Sequence, residues 1–548
     1  MLPPPGIRGI YRADPRARAA YSEGAGIYRI VPSGVALPAD LDDLRHLIAW
    51  ATTHRVALVP RGAGSAMGGG NVGDGVIVDL TGLSPASPSI DPGRKLGLTA
   101  ASTTLSQLNM EAGKYGLRLP PDPSSGRWAT LGGMVATNAA GARSVRYGSV
   151  RPWVQALSLM TAEGEVVTLR RGATDPGEAS AAAMLRFARV ARPQIRAAAP
   201  LIRTRFPHTR KNSSGYALDA YLESDDVIDL IIGAEGTLGI VTETEWRLSP
   251  VPSERAGLRM ALRSLDQLSQ LVESLLTLEP SALELLDRSF LDLVETDALA
   301  GAEIPFAGAE AVLLVEFERD AVDLLRDALE SASELATPLV QSVATAFTPT
   351  AAERLWSIRH AASPILAGLP EDRRSLQVIE DACVPVPRVS EYIRSVRRAA
   401  SARGLQVVIF GHAGDGHIHV NLLPDVTRPG WESAVASLLD EVTGIVVRLG
   451  GTPSGEHGDG RLRASSLGRV YGPEIVQLFR LIKDSFDPLG IFNPGIILPS
   501  GEPPVTRLKV GSNAAPLPAD IARALREIER SGGYARPRLE LAGDSRES

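Results

Sequence analysis

Apolar residues recur along this chain in two periods, helical and alternating, separated by glycine-rich breaks. Leu41, Leu44, Leu47, Ile48 and Ala51 fall at helical spacing behind Asp40, with Asp42 and Asp43 in the first turn, where a helix dipole favours them. Residues 56–59 and 76–80 read as short strands. Residues 96–101 predict a strand, and 104–115 a helix with Leu105, Leu108 and Ala112 on one face. From about residue 250 the pattern changes. Residues 258–278 and 322–335 predict amphipathic helices, and 311–317 and 406–410 predict strands, a mixture that suits a separate α+β domain. A helix within 471–498 should stop near Asp487-Pro488-Leu489-Gly490. The ends look irregular: 1–30 as an arm, and 501–548 as a loosely attached tail with a short helix over 518–531.

Three breaks stand out. The first is Pro60-Arg61-Gly62-Ala63-Gly64-Ser65-Ala66-Met67-Gly68-Gly69-Gly70-Asn71, between two strands. A loop so poor in side chains can turn its N–H groups onto a pyrophosphate, although it lacks the G-x-G-x-x-G spacing that opens a helix. The second is Thr130-Leu131-Gly132-Gly133-Met134-Val135-Ala136-Thr137-Asn138-Ala139-Ala140-Gly141, whose small residues let a flat group approach the backbone. The third, Ile231-Ile232-Gly233-Ala234-Glu235-Gly236-Thr237-Leu238-Gly239-Ile240-Val241, reads as an apolar strand broken by glycines and then resumed.

Length sets two to four domains for the 548 residues. A net charge of −6 argues against a nucleic-acid partner, which needs a basic patch. The single cysteine, Cys383, can form no disulfide within the chain and cannot by itself hold an iron–sulfur cluster. No apolar run is long enough to span a bilayer, and the Pro-rich N-terminus does not read as a secretory signal. The expected location is therefore cytoplasmic, with peripheral contact at the inner membrane left open.

Three of the eight histidines fall in Gly411-His412-Ala413-Gly414-Asp415-Gly416-His417-Ile418-His419-Val420-Asn421. On a strand, His417, His419 and Asn421 share one face, and the glycine turn brings His412 back towards it. Imidazoles so placed suit zinc or a similar divalent ion, and one carboxylate completes an open three-ligand site. Glu456, in Ser454-Gly455-Glu456-His457-Gly458-Asp459-Gly460, is the candidate.

Together these segments resemble the flavoproteins of the vanillyl-alcohol oxidase / p-cresol methylhydroxylase fold. Within it they resemble the FAD-linked D-2-hydroxyacid dehydrogenases (D-lactate dehydrogenase, glycolate oxidase flavin subunit, D-2-hydroxyglutarate dehydrogenase). The resemblance covers roughly residues 20–500. It implies an α+β architecture: a two-subdomain FAD-binding domain over 31–250, an α+β substrate cap with the metal site over 251–450, and a return to the flavin over 451–500. It places the FAD pyrophosphate at Arg61, Gly62, Gly64, Ser65, Gly68 and Gly69. The flavin falls at Pro121, Gly132, Gly133, Thr137, Asn138 and Gly141, the adenine and ribose side at Glu235, Gly236, Gly239 and Ile240, with Asn493 a further flavin contact. The first loop lacks the histidine that members with covalent flavin often carry, so the FAD should be dissociable.

The same resemblance puts the metal on His412, His419 and Glu456 and makes His457, with a pKa near neutrality, the catalytic base. It gives the substrate carboxylate to Arg359 in Trp356-Ser357-Ile358-Arg359-His360, with Ser363 beside it. Asn421 is grouped with the substrate contacts. Relatives usually carry Asn at the position of His417, which leaves that residue as a further ligand, a substrate contact or a donor behind the ligands. Ile379 stands where a lysine for a second carboxylate often falls. The implied reaction oxidises a small D-2-hydroxy acid to the 2-oxo acid, hydride passing to flavin N5 and electrons to a non-NAD acceptor. That acceptor is a separate iron–sulfur subunit or another carrier, since long relatives carry a cysteine-rich domain beyond the point where this sequence ends. A homodimer is allowed for. Two alternatives are an O₂-using oxidase of the same fold acting on another alcohol, and a non-catalytic flavin subunit relaying electrons.

Overall fold

The computed structural model describes residues 5–83, 87–173, 181–296, 308–360 and 362–543. The N-terminal half holds two sheets. The first orders Ile10–Arg12, Gly34–Leu37, Val76–Asp79 and Leu58–Arg61, the last three parallel. Parallel pairing needs a crossover, supplied by the helix Leu41–His54. Asp40 starts that helix as expected, its carboxylate accepting from the N–H groups of Asp42 and Asp43, and Leu44, Leu47, Ile48 and Ala51 are buried. The second sheet is antiparallel, in the order Ser89–Asp91, Leu96–Ala100, Ile240–Arg247, Val154–Met160, Val166–Arg170. Across it packs Leu105–Gly113, opened by a Thr104/Gln107 capping box.

The second half is a seven-stranded antiparallel sheet: Ser342–Ala346, Glu254–Leu262, Ala311–Arg319, Ala282–Asp287, Gln406–His412, His417–Leu423, Ala382–Cys383. Helices Leu268–Leu276, Val322–Ala336, Val389–Ser401 and Trp431–Arg448 bury one face of it.

Four expectations change. Residues 258–278 are not one helix: Glu254–Leu262 is a strand and only Leu268–Leu276 is α-helical. Leu258, Leu262 and Leu265 fit an i, i+4, i+7 series, but Ala256, Leu258, Met260 and Leu262 also alternate, and pairing on both edges selects the strand. The second glycine-rich break contains a helix, Leu131–Thr137, and the third opens on a helical turn, Ile228–Ile231. The arm carries Ile10–Arg12 and the helix Pro15–Ala20. The tail is not loose. Its helix Ala519–Ser531 buries Ile521, Leu525 and Ile528 against Val59, Ile77 and Tyr21.

Candidate active site

The histidine cluster is a hairpin. Strands Gln406–His412 and His417–Leu423 pair so that His412 faces His417 and Phe410 faces His419 across the ladder. The turn needs glycine at 416: φ is +73°, and a Cβ there would meet the Val384 carbonyl oxygen at 1.9 Å. On the other side of Gln406–His412 lies Ala282–Asp287, where Glu284 is the register partner of His412. The segment bearing Glu456 and His457 is fixed by one buried carboxylate. Asp381 accepts from Ser454 Oγ at 2.6 Å, Glu456 N at 3.2 Å and His457 N at 3.0 Å.

Three donor atoms converge. His412 Nε2 lies 3.2 Å from Glu456 Oε1 and 3.3 Å from His419 Nε2, and the latter is 3.6 Å from Glu456 Oε1. Three ligands held tetrahedrally around one ion at about 2.1 Å stand about 3.4 Å apart. The far ring nitrogens are occupied: His412 Nδ1 lies 2.5 Å from Glu284 Oε1, and His419 Nδ1 donates to the Glu380 carbonyl at 2.8 Å. That pattern fixes the tautomers and turns both Nε2 lone pairs inwards. Burial pushes the Glu456 carboxyl up, but the charges of Lys211, His412 and His417 hold it well below the carboxylate range. These residues therefore fit a divalent ion.

His417 belongs to the same group of potential donors, yet both its ring nitrogens have other partners. Nε2 donates to Asp381 Oδ1 at 2.9 Å and Nδ1 accepts from Lys211 Nζ at 3.3 Å. The ring is wholly buried and does not line the cavity described below. Burial and the Lys211 charge push it down to about 3. Of the alternatives open for it, the geometry matches a residue behind the ligands.

His457 differs from the other three. Its side chain is 27% exposed, against 9% or less for them, so it is the histidine a substrate can reach. Nδ1 lies 2.7 Å from Glu380 Oε2, and Nε2 lies 3.7 Å from Glu456 Oε1. Burial would lower its pKa, but Glu380 and Asp381 override this and push it up to about 10, not to the near-neutral value the sequence suggested.

A cavity of about 960 Å³ joins this cluster to all three glycine-rich breaks. Arg61, Gly62, Gly64, Ser65, Gly132, Gly133, Thr137, Gly141, Glu235, Gly236, Gly239 and Ile240 line it, as do His412, His419, Asn421, Glu456, His457 and Arg359. Small residues are required in its wall: a Cβ on Gly62 would sit 2.3 Å from Thr130 Oγ1. The Trp128 indole N–H, also in the wall, is buried without a protein acceptor. A long cleft with backbone for walls and an unmatched donor fits a dinucleotide such as FAD.

Other sequence-selected residues sit elsewhere. Gly68 packs on Asp459 and Gly460, and Gly69 on the Tyr28 ring. Pro121 and Asn138 do not line the cavity, and Asn138 caps Leu131–Thr137. Asn493 donates to the carbonyls of Gly70 and Glu235, tying the C-terminal return to the glycine loops. The Arg61 guanidinium turns inwards to the Glu23 carbonyl at 2.9 Å. Glu235 accepts from the N–H groups of Asp459 and Gly460 and is pushed up to about 8 by burial and by Asp459. Arg359 donates to Glu284 at 2.8 Å and lies over the Phe410 ring. The Ser363 side chain lies outside the described residues.

Residues 251–497 match the family described as FAD linked oxidases, C-terminal domain, and residues 32–170 match the FAD binding domain. The chain thus carries both an FAD binding domain and the C-terminal domain of FAD linked oxidases. It is 29% identical to a D-lactate dehydrogenase of Archaeoglobus fulgidus, over 85% of this chain and 91% of that one. It is 28% identical to the glycolate oxidase subunit GlcD of Bacillus subtilis, over 85% and 89%. To a D-2-hydroxyglutarate dehydrogenase of Pseudomonas putida it is 28% identical over 90% of this chain and 51% of that longer one. Among solved structures, 4-ethylphenol oxidase from Gulosibacter chungangensis superposes with a TM-score of 0.64 at 15% identity, over 89% of this chain and 94% of that one. The fold is thus of the vanillyl-alcohol oxidase type, and the enzyme is an oxidoreductase acting on CH–OH groups. No helix among its described residues is long and apolar enough to cross a membrane.

Three parts of the site were missed or only half read in the sequence. Glu284, behind His412, sits in the apolar run Ala282–Asp287 and carries no local signal. Lys211 lies in a stretch, 210–216, that resembles a family segment near the cofactor, a solvated basic turn being nearly as good a reading; it is buried with Nζ 2.9 Å from Glu456 Oε2 and 3.6 Å from Asp415 Oδ2, a role the sequence did not indicate. The tail residues Glu529–Gly532 and Tyr534 line the cavity.

Proposed function

We propose that this enzyme converts a D-2-hydroxy acid to the 2-oxo acid with dissociable FAD and a divalent cation such as zinc. The observation that carries the reading is the convergence of His412 Nε2, His419 Nε2 and Glu456 Oε1 at 3.2–3.6 Å on the wall of the flavin cavity. The names of the relatives agree with it. FAD supplies the hydride acceptor. A divalent ion on His412, His419 and Glu456 supplies positive charge that acidifies a bound hydroxyl and opposes a proton on His457.

The chain's own residues do the rest. Arg359 meets the substrate carboxylate, with Glu284 and the Phe410 ring fixing its guanidinium. Asn421, which accepts from Ser375 Oγ at 3.1 Å, offers a neutral polar group beside it. His457 takes the hydroxyl proton at Nε2, while Glu380, 2.7 Å from Nδ1, stabilises the imidazolium that forms. The buried walls keep water from the reacting carbon.

The test is an anaerobic panel of D- and L-2-hydroxy acids against the FAD-loaded protein. Flavin absorbance should bleach with a D-acid, fail to bleach after chelation and recover with added zinc. Bleaching by no acid in the panel would overturn the reading. Glu284→Gln should weaken metal binding about 10–100-fold by loosening the His412 ring. Competition with a chromogenic chelator measures this, and unchanged affinity would remove Glu284 from the account.

A further inference from the structure

The family match ends at residue 497, yet the chain continues across the cavity. Beyond that point it is fastened to both halves of the molecule. On the FAD-binding side, Leu508 forms a β-bridge with Tyr28, and Ile521, Leu525 and Ile528 pack on Val59, Ile77 and Tyr21. The far end is held by the N-terminal strand and helix: Arg12 donates to the Gly543 carbonyl at 2.8 Å and Arg16 to that of Ala542 at 3.0 Å. On the cap side, Glu529 pairs with Arg374, and Arg526 donates to Glu371 at 2.6 Å and to the Leu369 carbonyl at 3.0 Å. Between these anchors the chain turns at Gly532, where a Cβ would stand 3.0 Å from the Trp128 ring, and lays Tyr534 beside that ring at 6.0 Å.

Two observations point to a ligand at this wall. The Trp128 indole N–H is buried without an acceptor. Behind the lining residue Tyr534, and not itself on the cavity, Arg538 is 5% exposed and has two guanidinium nitrogens, Nε and Nη1, with no hydrogen-bond partner, so its charge adds to the field of the wall. The Arg61 guanidinium, at the root of the first glycine loop, hydrogen-bonds only to backbone carbonyls among the described residues. Buried guanidiniums without direct carboxylate partners leave an excess of positive charge, which a diphosphate would offset.

We propose that residues 519–543 form a wall of the FAD site and retain the cofactor, which cannot leave unless this strap lifts. The proposal rests on FAD as the cofactor, which the flavin content of the unaltered protein tests separately. The experiment compares FAD release from the holoprotein, followed by flavin fluorescence after dilution, for the full chain, a chain ending at residue 513 and Tyr534→Ala. Release should speed up by about tenfold or more for the shortened chain and several-fold for Tyr534→Ala, and rebinding of FAD to the shortened apoprotein should speed up as well, because one opening step gates both directions. If the shortened chain fails to fold, Tyr534→Ala alone decides. Release from Tyr534→Ala at the rate of the full chain would overturn the proposal.

Discussion

Replacing His457 with alanine should leave a folded, FAD-loaded protein that 2-hydroxy acids no longer bleach. The imidazole is the one histidine of the cluster with substantial exposure to the cavity, and its Nδ1 is fixed by Glu380 at 2.7 Å. General-base removal costs about 10²–10⁴-fold in rate. The loss should appear in the reductive half-reaction measured by stopped flow at saturating substrate. Zinc content should stay near that of the unaltered protein, because His412, His419 and Glu456 are untouched. Bleaching at an unchanged rate would remove His457 from the role of base.

Lys211→Met should produce the largest loss of stability, and the loss should depend on metal. The ammonium is buried, 2.9 Å from Glu456, 3.6 Å from Asp415 and 3.3 Å from His417 Nδ1. Its removal takes the buried positive charge from Glu456 and leaves Asp415 with Ser144 Oγ at 2.6 Å and the more distant Arg210 at 3.7 Å, and breaking a buried pair from one side costs about 3–5 kcal/mol. Denaturant unfolding of the metal-free protein measures this. Zinc should recover part of the loss, since a cation against Glu456 restores positive charge. A variant as stable as the parent without metal would show that Lys211 does not balance these carboxylates.

Much of this was legible in the sequence for a physical reason. Glycine loops, a helix cap at Asp40 and alternating histidines on a strand are local rules. They flag the segments, and the resemblance those segments carry supplied the individual residues: twelve of its cofactor positions line the cavity, and the donor atoms of His412, His419 and Glu456 lie 3.2–3.6 Å apart. What was not legible depends on pairing between distant strands. Glu284 reaches His412 only because Ala282–Asp287 lies beside Gln406–His412, a register no local pattern encodes. For His417 the alternation, which puts it on the face of His419, could not choose between ligand, substrate contact and donor behind the ligands; the partners that decide it, Lys211 and Asp381, come from segments far apart. A short helix over 518–531 was expected in the tail, but nothing local says that a sheet waits for one of its faces or that Tyr534 reaches Trp128.

The central claim is that flavin reduction depends on a cation held by His412, His419 and Glu456. The most direct measurement titrates zinc into metal-free, FAD-loaded protein and records the anaerobic rate of flavin reduction by a D-2-hydroxy acid at each addition. The account predicts a rate near zero without metal, rising linearly to one ion per chain and level thereafter, with Glu456→Gln showing no such rise. A full rate in the metal-free protein would contradict it.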